Sequence, residues 1–129
     1  MKKPASIGQL EQLVLTAIIG LRDDAYGVSI HKRVADLSDP KRVSLGAVYV
    51  ALDRLEDKGM ITSALADPTP ERGGRAKRCY QIEALGERVL QTSAETAKRM
   101  WESIVQAWGE RWVEGFGDIG GRKGKKARI

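Results

Sequence analysis

Residues 44–83 read SLGAVYVALDRLEDKG, then MITSALA, DPTPERGGRA and KRCYQIE, and the change of periodicity within them decides the fold. Ser44 is a good helix N-cap, because its short side chain can accept from an orphan amide of the first turn. Behind it Leu45, Val48, Tyr49, Leu52 and Leu55 recur at steps of three and four, the mark of one buried helical face. A helix is therefore expected over Leu45–Lys58, with Gly59 as its C-terminal stop. Met60–Ala66 is short and apolar-rich, and Lys77–Glu83 sets Tyr80 and Ile82 two apart, so both stretches read as strands. Between them Asp67–Ala76 holds Pro68, Pro70, Gly73 and Gly74 and reads as a loop. A helix thus runs into a β-hairpin with a long tip.

Upstream, Leu10, Leu13, Val14, Ala17, Ile18 and Leu21 form one stripe of a first helix over Gly8–Leu21. Leu15 and Ile19 lie off that stripe, as in helices that touch two partners. A second helix is expected over Tyr26–Leu37, with Val28, Ile30, Val34 and Leu37 as its apolar positions, and Ser38-Asp39-Pro40 breaks it. Downstream, Leu90, Ala94, Ala97, Trp101, Ile104 and Trp108 alternate steps of four and three, a coiled-coil-like seam on a helix expected over Ala84–Val113. From Gly117 the chain is rich in Gly, Lys and Arg and is expected to be disordered. The order is helix, helix, helix, strand, loop, strand, long helix. That order describes a mainly α protein with a small β-hairpin (α+β), a winged helix-turn-helix followed by a long C-terminal dimerisation helix. The expected division is 1–83 for the winged helix-turn-helix, 84–116 for the dimerisation helix and 117–129 for the basic tail.

Composition narrows the function classes. The 129 residues are 42% hydrophobic and 30% charged, enough for a core and suited to a water-exposed surface. No apolar stretch reaches the roughly 18 residues that a membrane span needs. Met1-Lys2-Lys3 is not followed by the apolar segment of a signal peptide, so a cytoplasmic protein with no membrane partner is expected. Cys79 is the only cysteine and His31 the only histidine. A histidine-rich metal site is excluded by that count, and no metal or other cofactor is expected. The carboxylate pairs Asp23-Asp24 and Glu56-Asp57 are sequence neighbours that do not face a common substrate, so no enzyme is expected. The formal net charge is +5. Arg122, Lys123, Lys125, Lys126 and Arg128 face only Asp118 in the last twelve residues, so most of that surplus sits in the tail.

The better signal for nucleic acid is the loop Arg72-Gly73-Gly74-Arg75-Ala76-Lys77-Arg78. Its cations suit phosphates, and its glycines let the backbone come close, as a wing tip on DNA requires. The bland alternative is a solvated charged loop. Ser44, Gly46, Ala47 and Val50 occupy the end of the third helix that can reach base edges in a major groove. Ser44 can both cap that helix and touch a phosphate. Tyr49 lies on the expected inward stripe, which leaves its hydroxyl as the part able to reach DNA. Lys41 and Arg42, just before the helix, are open to two readings, phosphate contact or solvated loop charge. Arg54, among Asp53, Glu56 and Asp57, is expected in an ion pair within its helix. Trp101, Trp108 and Trp112 share one helical face. They suit a dimer core or, between subunits, an aromatic pocket for a flat apolar ligand. Cys79 reads as a half-buried strand residue.

The ordered set Leu10-Glu11-Gln12-Leu13-Val14-Leu15, Ala25-Tyr26-Gly27-Val28-Ser29-Ile30, Val43-Ser44-Leu45-Gly46-Ala47-Val48-Tyr49-Val50-Ala51-Leu52-Asp53-Arg54-Leu55-Glu56, Lys58-Gly59, Arg72-Gly73-Gly74-Arg75, Tyr80 and Gly86 resembles the PadR family of bacterial transcriptional regulators. The resemblance covers roughly residues 7 to 112. It implies a DNA-binding homodimer, a repressor role and often a small-molecule inducer. There are two departures. Ala47 stands where the family commonly has Thr, and Glu83 stands at the usual Thr cap of the last helix.

The expected function is therefore a sequence-specific DNA-binding repressor, released by a small apolar or aromatic ligand. Its DNA-binding set is Tyr26, Lys41, Arg42, Ser44, Gly46, Ala47, Tyr49, Val50, Arg72, Gly73, Gly74, Arg75 and Lys77. Its expected partners are an operator duplex, a second copy of the chain and an inducer. The competing expectation is a dimeric ligand-binding or interaction module without DNA binding, which has no use for a basic wing.

Overall fold

The computed structural model describes residues 7–66 and 77–109. Each element begins and ends where local chemistry directs it. Helix α1, Gln9–Leu21, opens behind Gly8, whose N–H donates to the Glu11 carboxylate at 2.8 Å. It closes at Arg22, which takes a positive φ of 55° and leads into a short 3-10 turn over Arg22–Asp24. Helix α2, Gly27–Ser38, follows Tyr26, and the Tyr26 N–H donates to Ser29 Oγ at 2.9 Å. Helix α3, Leu45–Asp57, is capped by Ser44 Oγ, which accepts from Ala47 N at 3.0 Å.

The end of α3 explains Gly59. Its N–H donates to Glu56 O, and the Met60 N–H donates to Leu55 O, each at 3.0 Å. This paired closure needs a left-handed residue, and Gly59 supplies it with φ 78°. Leu55 and Met60, the apolar pair that accompanies such a closure, are both fully buried. The chain then enters strand β1, Ile61–Leu65, which pairs antiparallel with β2, Arg78–Ile82. Ser63 lies opposite Tyr80, and Leu65 opposite Arg78. The other edge of β2 is also used. Tyr26 bridges Cys79, and the Tyr80 N–H donates to Ala25 O at 2.9 Å. The link before α2 therefore bridges the outer edge of β2 and ties the hairpin to the helices.

One core joins these parts. Val14, Leu15, Ala17 and Ile18 of α1 meet Ile30 and Val34 of α2, and Val48, Ala51, Leu52 and Leu55 of α3. Met60, Ile61 and Tyr80 close it from the hairpin side. An ion pair ties its far edges, with Lys58 Nζ 3.0 Å from both oxygens of the buried Glu11 carboxylate. This ion pair reaches from the end of α3 across to α1.

Helix α4 runs Ala84–Trp108. Contacts group the chain into one unit through Gln91 and another from Thr92. In the first unit, the opening turn of α4 lies on the hairpin. Gly86 is buried, and a Cβ there would overlap the Met60 carbonyl oxygen. In the second unit, Trp101, Ile104 and Val105 are half-buried, while Met100 and Trp108 are exposed. The described helix stops at Trp108, followed by Gly109 with φ 67°. A continuation to Val113 was expected, and residues 110–113 lie outside the described part, as do Trp112 and the tail.

The mainly α architecture and the winged helix-turn-helix order are those expected. The inward faces need correction. Val28 and Leu37 of α2 are 54% and 47% exposed, and Leu45 and Tyr49 of α3 are exposed as well. Val28 points away from the side of α2 that carries Ile30 and Val34. Leu37 and Leu45 sit on the right stripe, but near helix ends that overhang the core. Leu15, off the expected stripe of α1, is fully buried, because α1 packs on α2, α3 and β2.

Candidate nucleic-acid interface

The exposed side of α3 is built by the same turns that fill the core. Val48, Ala51 and Leu52 point inward, so their neighbours Gly46, Tyr49 and Val50 face outward, with Val50 50% exposed. Ala47 is half-buried. The cap at Ser44 leaves the helix N-terminus open at this end, where backbone amides and the helix dipole favour an anion. Lys41 and Arg42, both exposed, precede it. The acids of this helix, Asp53, Glu56 and Asp57, all fall in its second half.

Tyr49 owes its position to Gly27. A Cβ at residue 27 would fall 2.5 Å from Tyr49 Cζ, so only glycine admits the phenol against the start of α2. The ring that was expected to be core is 41% exposed. Tyr49 lines a groove of about 250 Å³ with Tyr26, Gly27, Val28, Lys77, Arg78 and Tyr80. Lys77 Nζ stands 5.4 Å from the centre of the Tyr26 ring, a cation–π distance. Burial pushes the Tyr80 phenol above its ordinary pKa of 10.0, Tyr49, Glu56 and Asp53 add to this, and Arg78 opposes it. The Tyr80 hydroxyl is therefore a neutral group at physiological pH. The Arg78 guanidinium donates to Ser63 Oγ at 3.0 Å, and Ser63 Oγ donates to Glu56 at 2.9 Å.

A second groove of about 610 Å³ flanks the start of α3. Leu10, Leu13, Leu37, Val43 and Ala47 supply its apolar lining, and Lys41, Arg42 and Ser44 its polar one. His31 braces the loop beside it, with Nε2 2.7 Å from Val43 O.

The expected residues thus fall into groups. Tyr26, Tyr49 and Lys77 share the first groove, and Lys41, Arg42, Ser44 and Ala47 share the second. Gly46 and Val50 stand exposed on the same two turns of α3. Arg72, Gly73, Gly74 and Arg75 lie outside the described residues. Val28 was not among the expected site residues, although it is exposed and lines the first groove. Its signal was available, since it follows Tyr26-Gly27 and fits the inward side of α2 poorly. Cys79 is half-buried in β2, with its Sγ 3.6 Å from Asp23 O. Among the described residues no group of three His, Cys, Asp or Glu side chains could hold a metal ion. None of the described helices is long and apolar enough to cross a membrane.

The family model described as the transcriptional regulator PadR-like family matches residues 14–92. A PadR family transcription regulator from Clostridium difficile is similar in structure, with 24% identity, 79% of this chain and 100% of that one covered, and a TM-score of 0.66. A PadR-like regulator from Bacillus cereus shows 20% identity over 78% of this chain and 91% of its own, with a TM-score of 0.64. The PcaV regulator of Streptomyces coelicolor, solved with its natural ligand, shows 16% identity, coverage of 88% and 72%, and a TM-score of 0.66. At these identities the structural likeness is one of fold. No curated protein matches the chain.

Proposed function

Since the chain belongs to the PadR-like family of transcriptional regulators, we propose that it represses transcription by laying α3 in the major groove of an operator, and that a small ligand releases it. The observation that carries this reading is the outward side of α3. Gly46, Tyr49 and Val50 stand exposed on two turns with no acidic side chain, and the cations Lys41, Arg42 and Lys77 lie in the grooves on either side. In this reading Ser44, Gly46, Ala47, Tyr49 and Val50 approach base edges and the nearest phosphates. Lys41 and Arg42 neutralise one strand. Tyr26, Lys77 and the wing residues Arg72, Gly73, Gly74 and Arg75 follow the backbone or the minor groove beside it.

The protein acts as a homodimer joined along α4. Met100, Trp101, Ile104 and Trp108 recur there at helical spacing, with Met100 and Trp108 exposed, and a second copy would remove that apolar surface from water. Two copies set two recognition helices on half-sites about one DNA turn apart. An apolar or aromatic releasing ligand has a place beside Trp101, Trp108 and Trp112. PcaV, a regulator of similar fold, was solved with its natural ligand, which supports a ligand-responsive reading. A dimeric module without DNA binding leaves the exposed side of α3 and its flanking cations without a use.

The test is a set of titrations on a selected duplex and a scrambled one at several salt concentrations. Each phosphate contact adds roughly 0.9 to the slope of log affinity against log salt. Replacing Arg72 and Arg75 together by Ala is therefore expected to flatten the slope by up to about 2 per subunit, on both duplexes alike. If affinity and slope both survive, the wing has no part in binding.

A further inference from the structure

We propose that α3 reads its operator through the 5-methyl groups of thymine, with Val50 as the specificity-determining side chain. The inference rests on the proposed entry of α3 into the major groove and names what it recognises there. From Ser44 to Leu52 the helix carries no Arg, Lys, Asn, Gln, Asp or Glu. Those are the side chains that distinguish guanine, adenine and cytosine in the major groove by paired or charged hydrogen bonds. The side-chain polar atoms that remain are two. Ser44 Oγ already accepts from Ala47 N, and the Tyr49 ring is seated against Gly27 at the side of the helix.

The outward surface is otherwise hydrocarbon. Val50 is half exposed, and it lies one turn beyond Gly46 on the same side of the helix. Gly46 has no side chain, and the nearest neighbour of a Cβ built there is Ser44 Oγ at 4.0 Å. The helix therefore leaves open space one turn ahead of Val50, into which the edge of a base pair can move until the isopropyl group meets it. Among the groups that the four bases present in the major groove, only the thymine methyl is apolar. The other bases would desolvate a donor or an acceptor against valine without replacing its hydrogen bond, which is unfavourable. Asp53, one turn beyond Val50 and exposed, is repelled by phosphates and marks where the reading surface ends. Arg54, also exposed, offers the rival mode, a guanine contact from the second half of the helix.

The experiment uses the full chain and a randomised 30-base-pair duplex library. The best selected duplex is resynthesised with uracil in place of each thymine in turn, which removes the methyl group alone. At one or two thymines in each half-site the affinity is expected to fall about fourfold per methyl group. Val50→Ala is expected to bind the thymine duplex more weakly and to respond less than twofold to the same replacement. Val50 is exposed, so this variant is expected to keep the wild-type circular dichroism spectrum and melting. If every uracil duplex binds within twofold of the parent while a scrambled duplex stays weaker, thymine reading is refuted and base reading by other means survives. A loss confined to 7-deazaguanine duplexes and abolished by Arg54→Ala would give the reading role to Arg54 and also refute the proposal. If selected and scrambled duplexes bind alike, the reading of bases by α3 falls with it.

Discussion

Gly86 is the position where one methyl group should damage the fold most. It lies in the first turn of α4, where alanine would ordinarily be preferred by about 1 kcal/mol. Here the added Cβ would overlap the Met60 carbonyl oxygen and stand 2.9 Å from Ile82 Cγ1. The obstacle cannot swing away. The Met60 N–H is bonded to Leu55 O at 3.0 Å, its carbonyl accepts from Glu83 N at 2.8 Å, and its side chain is fully buried. Overpacking of this kind costs about 1–3 kcal/mol, and weakening the Glu83 bond adds about 1 kcal/mol. After the helix preference is subtracted, Gly86→Ala is expected to lose about 2 kcal/mol. For a domain of this size that lowers the melting temperature by about 10 °C. The assay is thermal unfolding by circular dichroism at one fixed protomer concentration, because association raises the apparent melting point. Gly27→Ala is the matched control. Its obstacle is the Tyr49 ring, the far end of a partly exposed side chain, so the loss is expected to stay below about 1 kcal/mol. A Gly86→Ala protein that melts at or above the wild type would refute the packing argument. Equal losses at both positions would refute the distinction between a backbone obstacle and a side-chain one.

Two further outcomes are expected. Glu11→Ala removes the carboxylate that receives both the Gly8 N–H and Lys58, and should cost about 2 kcal/mol in urea unfolding, given the strength of hydrogen bonds to charged groups. An unchanged midpoint would mean that Lys58, 38% exposed, prefers water. Sedimentation at micromolar concentration should give a single species of twice the 14.2 kDa chain mass, and Trp101→Ala with Trp108→Ala should shift it toward monomer. A wild-type species at 14.2 kDa would exclude a stable homodimer.

The elements were legible because their ends are written locally. Ser44, Gly59 and the Ser38-Asp39-Pro40 break each act on the residues beside them, and α1, α2 and α3 begin and end within a residue of expectation. The fourth helix is expected to run to Val113; its described part ends at Trp108, before Gly109 with its left-handed backbone, and residues 110–113 lie outside the described part. Burial was less legible. Periodicity fixes which residues share a side of a helix, but not how far the helix extends past its partners. Leu37 and Leu45 therefore followed the pattern and remained exposed. Long-range pairs left no local trace at all. Nothing near Glu11 announces Lys58, and nothing near Ala25 announces that its carbonyl will meet Tyr80 across the sheet.

The candidate interface follows from this same division of α3. Between Leu45 and Leu52 the chain carries no charged residue and is almost wholly apolar, so composition cannot tell core from surface there. Only the phase of the helix does. Val48, Ala51, Leu52 and Leu55 are buried to 3% exposure or less, whereas Val50, in the same turn as Val48, is half exposed. The two sides can therefore change independently. A substitution at Leu52 falls on stability, through the transfer and cavity costs of a filled core. A substitution at Val50 leaves those contacts in place and falls on whatever meets the outer side of the helix. Tyr49 is the point where the two are coupled. Its ring rests on Gly27 and so links α3 to α2, while its exposed edge lines the groove that also holds Tyr26 and Lys77. A smaller residue at Tyr49 should disturb both folding and binding, which makes Val50 the cleaner probe of what the helix reads.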